Sequence, residues 1–442
     1  MKKETLAAEE SGRPGWLMPG GKINEVEFCR EFYMKNHLMY TEGAFFGPEG
    51  RITDVDVLRR EIYQVLRQHC YSGLEAKVEK ILGTMRMECP RVGLEEGPED
   101  IFTIPVANGT YRLDLREFSP VKHVTRYRLP VNYDPEAPKP ETWLRFLSEL
   151  LQEEDIPTLQ EFMGYCLIPS TLGQKMLIIT GKGGEGKSRI GVVMKALLGA
   201  NMNLNSVAKI ESSPFARADL QHLLLMVDDD LRMDALKNTN YLKSIITAEL
   251  PMDLERKGIQ SYQGKLNVRF MAFGNDTIQA LHDRSHGFFR RQIILSAREK
   301  RPDRKNDPFL GYSLIKEKEG ILLWCIEGLE RLMVNDFQFT MSRGARRNLL
   351  DSMSRGNNIP DFLKSEGYIR MDPGGCISSR QLNELYREWC ADNALVALNA
   401  NTFWSFLAQN LETYHLKSSR SIPIGNEKYA RGYQGIRAMS RF

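Results

Sequence analysis

Three hydrophobic patterns follow one another along the chain. The first is helical. In DVLRREIYQVLRQHC (56–70), Val57, Leu58, Ile62, Val65 and Leu66 recur at three- and four-residue spacing, which predicts an amphipathic helix. Asp54-Val55-Asp56 opens it. Such a pair could belong to a polymerase or primase, but those carboxylates sit on strands, and here they suit an N-cap and first helical turn. The second pattern is extended: FTIPVANGTYRLDL (102–115) reads as a β-hairpin around Asn108-Gly109. PVNYDPEAPKPE (130–141) then breaks the pattern with prolines, and helices are expected at about 142–154 and 157–167. The third is a series of buried strands: KMLIIT (175–180), LLLMV (223–227), NVRFMAFGN (267–275) and the apolar run after Arg291. Helical stretches separate them to about residue 335, the signature of a doubly wound parallel sheet. REKRPDRKNDP (298–308) reads as a charged surface loop.

The C-terminal stretch 377–439 reads as helix, turn, helix and hairpin. Leu382, Leu385, Tyr386 and Trp389 line one helical face, and Thr402, Phe403, Phe406 and Leu407 a second. Lys417, Arg420, Lys428 and Arg431 surround an expected wing, which suits a winged helix that places its second helix near a DNA groove. The aromatic stripe is read as core. The expected division is a flexible N-terminus (1–20), an α+β accessory domain (21–140), a doubly wound α/β domain (141–340) and a winged-helix domain (341–442).

Charge sharpens this picture only locally. The net charge of the 442 residues is +3, but residues 341–442 carry fourteen Lys+Arg against nine Asp+Glu, a mild sign of a nucleic-acid-facing end. No apolar run reaches the ~18 residues that a membrane span needs. The N-terminal residues lack an apolar core of signal-peptide type, so a cytoplasmic protein is expected, without a membrane partner. The seven cysteines are scattered without a C-x-x-C pair, which argues for buried thiols rather than a zinc centre or a disulfide framework.

The chemistry concentrates in GKGGEGKS (181–188), which fits G-x-x-x-x-G-K-[ST] between a strand and a helix. Gly181, Gly183, Gly184 and Gly186, with Glu185 among them, form a loop whose backbone N–H groups can curl around phosphate. Lys187 can reach the β- and γ-phosphates of ATP, and Ser188 can ligate Mg²⁺. Asp228, Asp229 and Asp230 end the next strong strand, at the edge where α/β sheets bind ligands. Asp228 is favoured for metal and Asp229 for polarising water. Asn275, at the tip of a third strand, can orient that water. Arg290 and Arg291 precede a fourth strand, where one of them could reach a neighbouring subunit's γ-phosphate.

Together the phosphate loop, the aspartate cluster, the Asn-tipped strand and the Arg pair resemble superfamily 3 helicases, and more closely the phage and plasmid helicase–primase group related to the poxvirus helicase–primase. Residues 105–169, SYQGKLNVRFMAFGN and DRSHGFFRRQIIL carry that resemblance. It implies an AAA+-like motor that forms a homo-oligomeric, hexameric ring, hydrolyses ATP and moves along single-stranded DNA at a fork. It also implies a channel hairpin between the aspartates and Asn275, with Lys243, Arg256, Lys257 and Lys265 as the candidate DNA contacts, Lys257-Gly258 as its tip and Lys265 on the return strand. About 100 residues precede the motor-like region and hold no convincing primase carboxylate pair, so primer synthesis is not expected, and a separate primase or loader is a candidate partner. Two other classes fit the residues: a DNA-binding initiator that uses ATP as a switch, and a P-loop enzyme such as a small-molecule kinase.

Overall fold

A computed structural model describes residues 14–90, 101–231, 239–275, 286–300, 307–365, 367–393, 395, 397–423 and 429–439. The first unit is small. The helix Glu25–Asn36 begins where the Asn24 side chain accepts from Glu27 N–H at 3.2 Å. Three short antiparallel strands follow: β1 (Met39–Thr41), β2 (Ala44–Gly47) and β3 (Gly50–Ile52). The expected amphipathic helix is Val55–Arg67, with Leu58, Ile62 and Leu66 buried. The Asp54 carboxylate accepts from Asp56 N–H at 2.9 Å, so this aspartate pair does cap a helix. The helix Leu74–Glu88 completes a core that includes Trp16, Phe28 and Ile81.

The hairpin at Asn108-Gly109 forms as β4 (Thr103–Val106) and β5 (Gly109–Arg112), extended by β6 (Glu117–Ser119). Asn108 also reaches forward: its Oδ1 accepts from Tyr133 N–H at 2.9 Å. Ile104, Val106 and Tyr111 join one hydrophobic core with Trp143, Phe162 and Leu177, so packing runs continuously across residue 140. The two helices expected after the prolines are Glu141–Leu150 and Ile156–Tyr165, joined by a 3₁₀ turn at Glu153–Asp155. The second lies hard against the helix Lys318–Val334. A Cβ on Gly164 would stand 2.2 Å from the Cys325 carbonyl oxygen, so only glycine permits that approach.

The centre is a five-stranded parallel sheet. Its strands are β7 (Met176–Gly181), β8 (Met202–Leu204), β9 (Leu225–Asp228), β12 (Arg269–Asn275) and β13 (Gln292–Ser296), arranged in the order β13-β7-β12-β9-β8. Their near-continuous apolar character has a simple cause: both faces are covered. Leu177, Ile179, Val227, Met271 and Ile293 pack into one core beneath the helices Ser188–Leu198 and Lys318–Val334. Ile178, Met226, Phe270 and Ile294 pack into another, on the opposite face. All five strands run the same way, so their C-terminal ends share one edge.

Between β9 and β12 a separate hairpin stands out, β10 (Met252–Arg256) and β11 (Ile259–Gly264), with Gly258 left-handed at its tip. The C-terminal unit has its own core around Phe362, Tyr386 and Phe403. There β14 (Ile369–Ser378) pairs with β16 (Tyr429–Ala438), which pairs with β15 (Lys417–Pro423). The helices Ser379–Asp392 and Ala400–Gln409 pack on this sheet, capped by Ser378 and Asn399 side chains. Tyr386 binds it internally, donating to Asn358 Oδ1 at 2.5 Å and accepting from Leu398 N–H at 2.9 Å. Lys428 lies outside the described residues. Among the described residues no helix is long and apolar enough to cross a membrane.

Candidate active site

β7 ends at Gly181, and the chain turns through Gly183, Gly184 and Gly186, all with positive φ (105°, 82° and 102°). Side chains with a Cβ are strained there, which is why this loop is written in glycine. The helix Ser188–Leu198 starts immediately after, so the positive end of its dipole faces the same space, with Arg189 N–H and Ile190 N–H already donating to the Gly186 and Lys187 carbonyls at 2.9 and 3.0 Å. Ser188 is exposed in its first turn, whereas Lys187 is buried. The Lys187 ammonium donates to Glu185 Oε2 at 2.8 Å, and Gly183 N–H donates to Glu185 Oε1 at 2.8 Å. Burial pushes the Glu185 carboxyl upward, but those bonds outweigh it and hold it below the usual carboxylate range.

The aspartates sit at the same edge. Asp228 closes β9 and is buried; its Oδ2 accepts from Val207 N–H at 2.7 Å and its Oδ1 from Asp230 N–H at 3.2 Å. Burial raises its pKa, and the neighbouring Asp230 and Asp229 charges add to that rise against the two backbone bonds. Asp229 and Asp230 are exposed in the turn that follows. β12 runs between the loop strand and the aspartate strand: Asn275 is in register with Gly181 and Ala272 with Asp228. The Asn275 backbone therefore ends beside the glycine loop. Each Asp228 oxygen keeps a lone pair beyond the N–H it accepts, so the carboxylate can still serve a Mg²⁺ ion through water, with Ser188 as the other protein oxygen.

The two arginines stand elsewhere. Arg290 and Arg291 lie just before β13, whose first residue, Gln292, pairs with Met176 at the start of β7. That is the N-terminal edge, roughly 17 Å of strand away from Gly181 at 3.3 Å per residue. Neither can serve the glycine loop of its own chain. Arg291 Nη1 donates to the Gly287 carbonyl at 2.5 Å, whereas Arg290 is exposed. Lys175 joins them, a residue the sequence reading passed over. Its Nζ donates to the Arg290 carbonyl, and burial, then the two guanidiniums, lower its pKa.

The hairpin candidates divide in the same way. Lys257 is exposed at the tip beside Gly258. Arg256 is tied down by Gln221 and by the Glu42 carbonyl, with its guanidinium over the Tyr262 ring. Lys243 lies on the separate helix Asn240–Ile246, and Lys265 falls one residue beyond β11.

A cavity of about 710 Å³ opens beside the glycine loop, between Gly184–Gly186 and the helix Glu141–Leu150. Arg145, Glu149, Arg189 and Lys300 line it. Its size suits a nucleoside polyphosphate. The signal in sequence was faint: charged residues on a helix far upstream of the motif. Among the described residues no cluster of three or more His, Cys, Asp or Glu is placed to hold a metal.

Residues 179–291 match the family described as a family of unknown function, DUF5906, and residues 58–152 match the family described as D5 N terminal like. No curated protein matches the chain. Among solved structures, the apo structure of the NrS-1 C-terminal region has a TM-score of 0.55 at 12% identity, covering 94% of this chain and all (100%) of that one. The A form apo structure of the same region has a TM-score of 0.51 at 13% identity, covering 89% of this chain and 88% of that one. Most of the chain thus shares a fold with that region. The two family models match separate stretches of the chain, and the likeness to the NrS-1 C-terminal region is one of fold.

Proposed function

We propose that this chain is an ATP-driven DNA helicase motor of the superfamily 3 type, acting in the replication of a phage or related element as a homo-oligomeric ring. One observation carries the reading. A glycine loop that opens a helix, an aspartate-ended strand and an Asn-tipped strand between them all end at one edge of a parallel sheet, in the order β13-β7-β12-β9-β8. In this reading Gly181–Ser188 form a P-loop around the ATP phosphates, and Lys187 neutralises the β- and γ-phosphates. Mg²⁺, held by Ser188 and Asp228, supplies positive charge to the phosphoryl oxygens when bound. Asp229, exposed in the turn, polarises the attacking water, and Asn275 orients it. Arg290 or Arg291, at the far edge, completes the site of the adjacent subunit, with Lys175 beside it.

Translocation falls to the β10–β11 hairpin, whose Lys257 tip grips phosphates without reading bases. The C-terminal unit, two helices on a three-stranded sheet with Lys417, Arg420 and Arg431 around one hairpin, is read as a winged helix that contacts duplex DNA. The family matches and the shared fold support this direction. The deciding experiment is strand displacement on a forked duplex with ATP and Mg²⁺, beside Lys187→Ala. Separation by the wild type alone supports the motor. ATP hydrolysis without separation would assign the chain to the ATP-switched initiators instead.

A further inference from the structure

We propose that Glu185 is a built-in competitor for phosphate, whose carboxylate must be displaced before a nucleotide can seat in the loop; this rests on the nucleotide reading of the site. Each Glu185 oxygen accepts from a group expected to cradle phosphate: Oε1 from Gly183 N–H and Oε2 from the Lys187 ammonium, both at 2.8 Å. The contact is not a surface accident. Glu185 is 3% exposed and Lys187 6%. The loop also makes room for it, because a Cβ on Gly181 would stand 2.8 Å from Glu185 Oε1 and 3.0 Å from Lys187 Nζ.

A carboxylate and a phosphate are both anionic acceptors: the single Gly183 N–H can serve only one of them well, and although the Lys187 ammonium has three N–H donors, like charges held this close repel strongly where water is excluded. A bound nucleotide therefore turns Glu185 out. The adjoining cavity offers a destination, since Glu185 already lines it together with Arg145, Arg189 and Lys300. Glu185 thus sets the affinity of the site. Weak phosphate ligands do not repay the two charge-assisted bonds it gives up, whereas a polyphosphate carrying Mg²⁺ does.

The test is calorimetric titration of the full chain with Mg²⁺-ADP, pyrophosphate and adenosine. Glu185→Gln keeps the shape and removes the charge. It should bind ADP and pyrophosphate at least about tenfold more tightly than the wild type and leave adenosine unchanged. Glu185→Ala should gain similarly, and Lys187→Ala should abolish binding in either background. Thermal melts without nucleotide check that each variant folds. If the wild type binds ADP and Glu185→Gln binds it no better, Glu185 does not compete and the inference falls alone. If neither binds ADP or pyrophosphate, the nucleotide reading falls, and this inference with it.

Discussion

Arg256 donates from Nη2 to Gln221 Oε1 at 2.7 Å, and that oxygen also accepts the Tyr262 hydroxyl at 2.7 Å. Gln221 in turn donates to Glu42 Oε2 at 3.0 Å, so the hairpin is fastened just beside its tip to the segment before β9 and to the turn between β1 and β2. Arg256 is thus an anchor, and Lys257 is the cation left at the tip. Lys257→Ala should lower DNA affinity and reduce the slope of log affinity against log salt by about 1, with melting unchanged. Arg256→Ala should cost roughly 1–2 kcal/mol of stability and leave that slope nearly intact. Anisotropy titrations at several salt concentrations, with melts alongside, separate the two. An equal slope loss in both variants would count against the anchor.

The aspartates should also part company. Asp229→Asn should retain ATP and cut hydrolysis by about 10² or more, as removal of a catalytic base does. Asp228→Ala should do this and also lower the melting temperature, because it strips the acceptor from Val207 and Asp230 N–H. Single-turnover hydrolysis and melting curves measure both. Normal turnover in Asp229→Asn would move the base elsewhere.

Arg290 and Arg291 differ in what already holds them. Arg291 is engaged with the Gly287 carbonyl, while Arg290 is exposed. Arg290→Ala should reduce hydrolysis by roughly 10³, the low end for an arginine finger. Mixing it with Lys187→Ala chains should restore turnover, because some interfaces then pair an intact loop with an intact arginine. Arg291→Ala should chiefly lower stability. Failure of the mixture to recover any activity would argue against shared sites.

His222 supplies a pH dependence. It is buried at 4% exposure, with Arg126 Nη1 3.4 Å from its Nδ1. Burial pushes its pKa down to about 3; Glu42 opposes this, and Arg51, Arg126 and Arg256 add to it. The folded value lies below the ordinary 6.5, so the unfolded chain takes up the proton first as pH falls. Its contribution is complete above about pH 6.5 and is lost progressively towards pH 3. At pH 5 the loss is about 2 kcal/mol. Glu42, also lowered, acts in the same direction. Melting temperature against pH should therefore fall below about 6.5, and His222→Gln should flatten that fall.

What could be read in advance was local. Asn108-Gly109 made a hairpin because a two-residue turn needs those residues, and β7, β9, β12 and β13 announced themselves by apolar runs that end in polar tips, whereas β8, three residues with two exposed, did not. The strand β14 stayed hidden because Pro373, Gly374 and Gly375 interrupt it, and its register shifts between Asp372 and Cys376. Long-range facts left no period to find. The union of β4 and β5 with the core of the parallel sheet, the cavity lined by Arg145 and the hold of Gln221 on Arg256 all join residues far apart in the chain. The Glu185–Lys187 pair lay inside the motif itself, but a motif names which residues sit in a loop and not which way each side chain turns.

The separation of Arg290 from Gly181, at opposite ends of neighbouring strands, bears on how copies meet. Under the proposed reading one edge donates cations and the other receives them, so the two faces are unlike and join head to tail instead of about a twofold axis. Such a contact either closes on itself or runs on as a filament, and the rotation from one copy to the next decides which. Turnover then becomes a property of the assembly: dilution silences the protein while every chain remains folded.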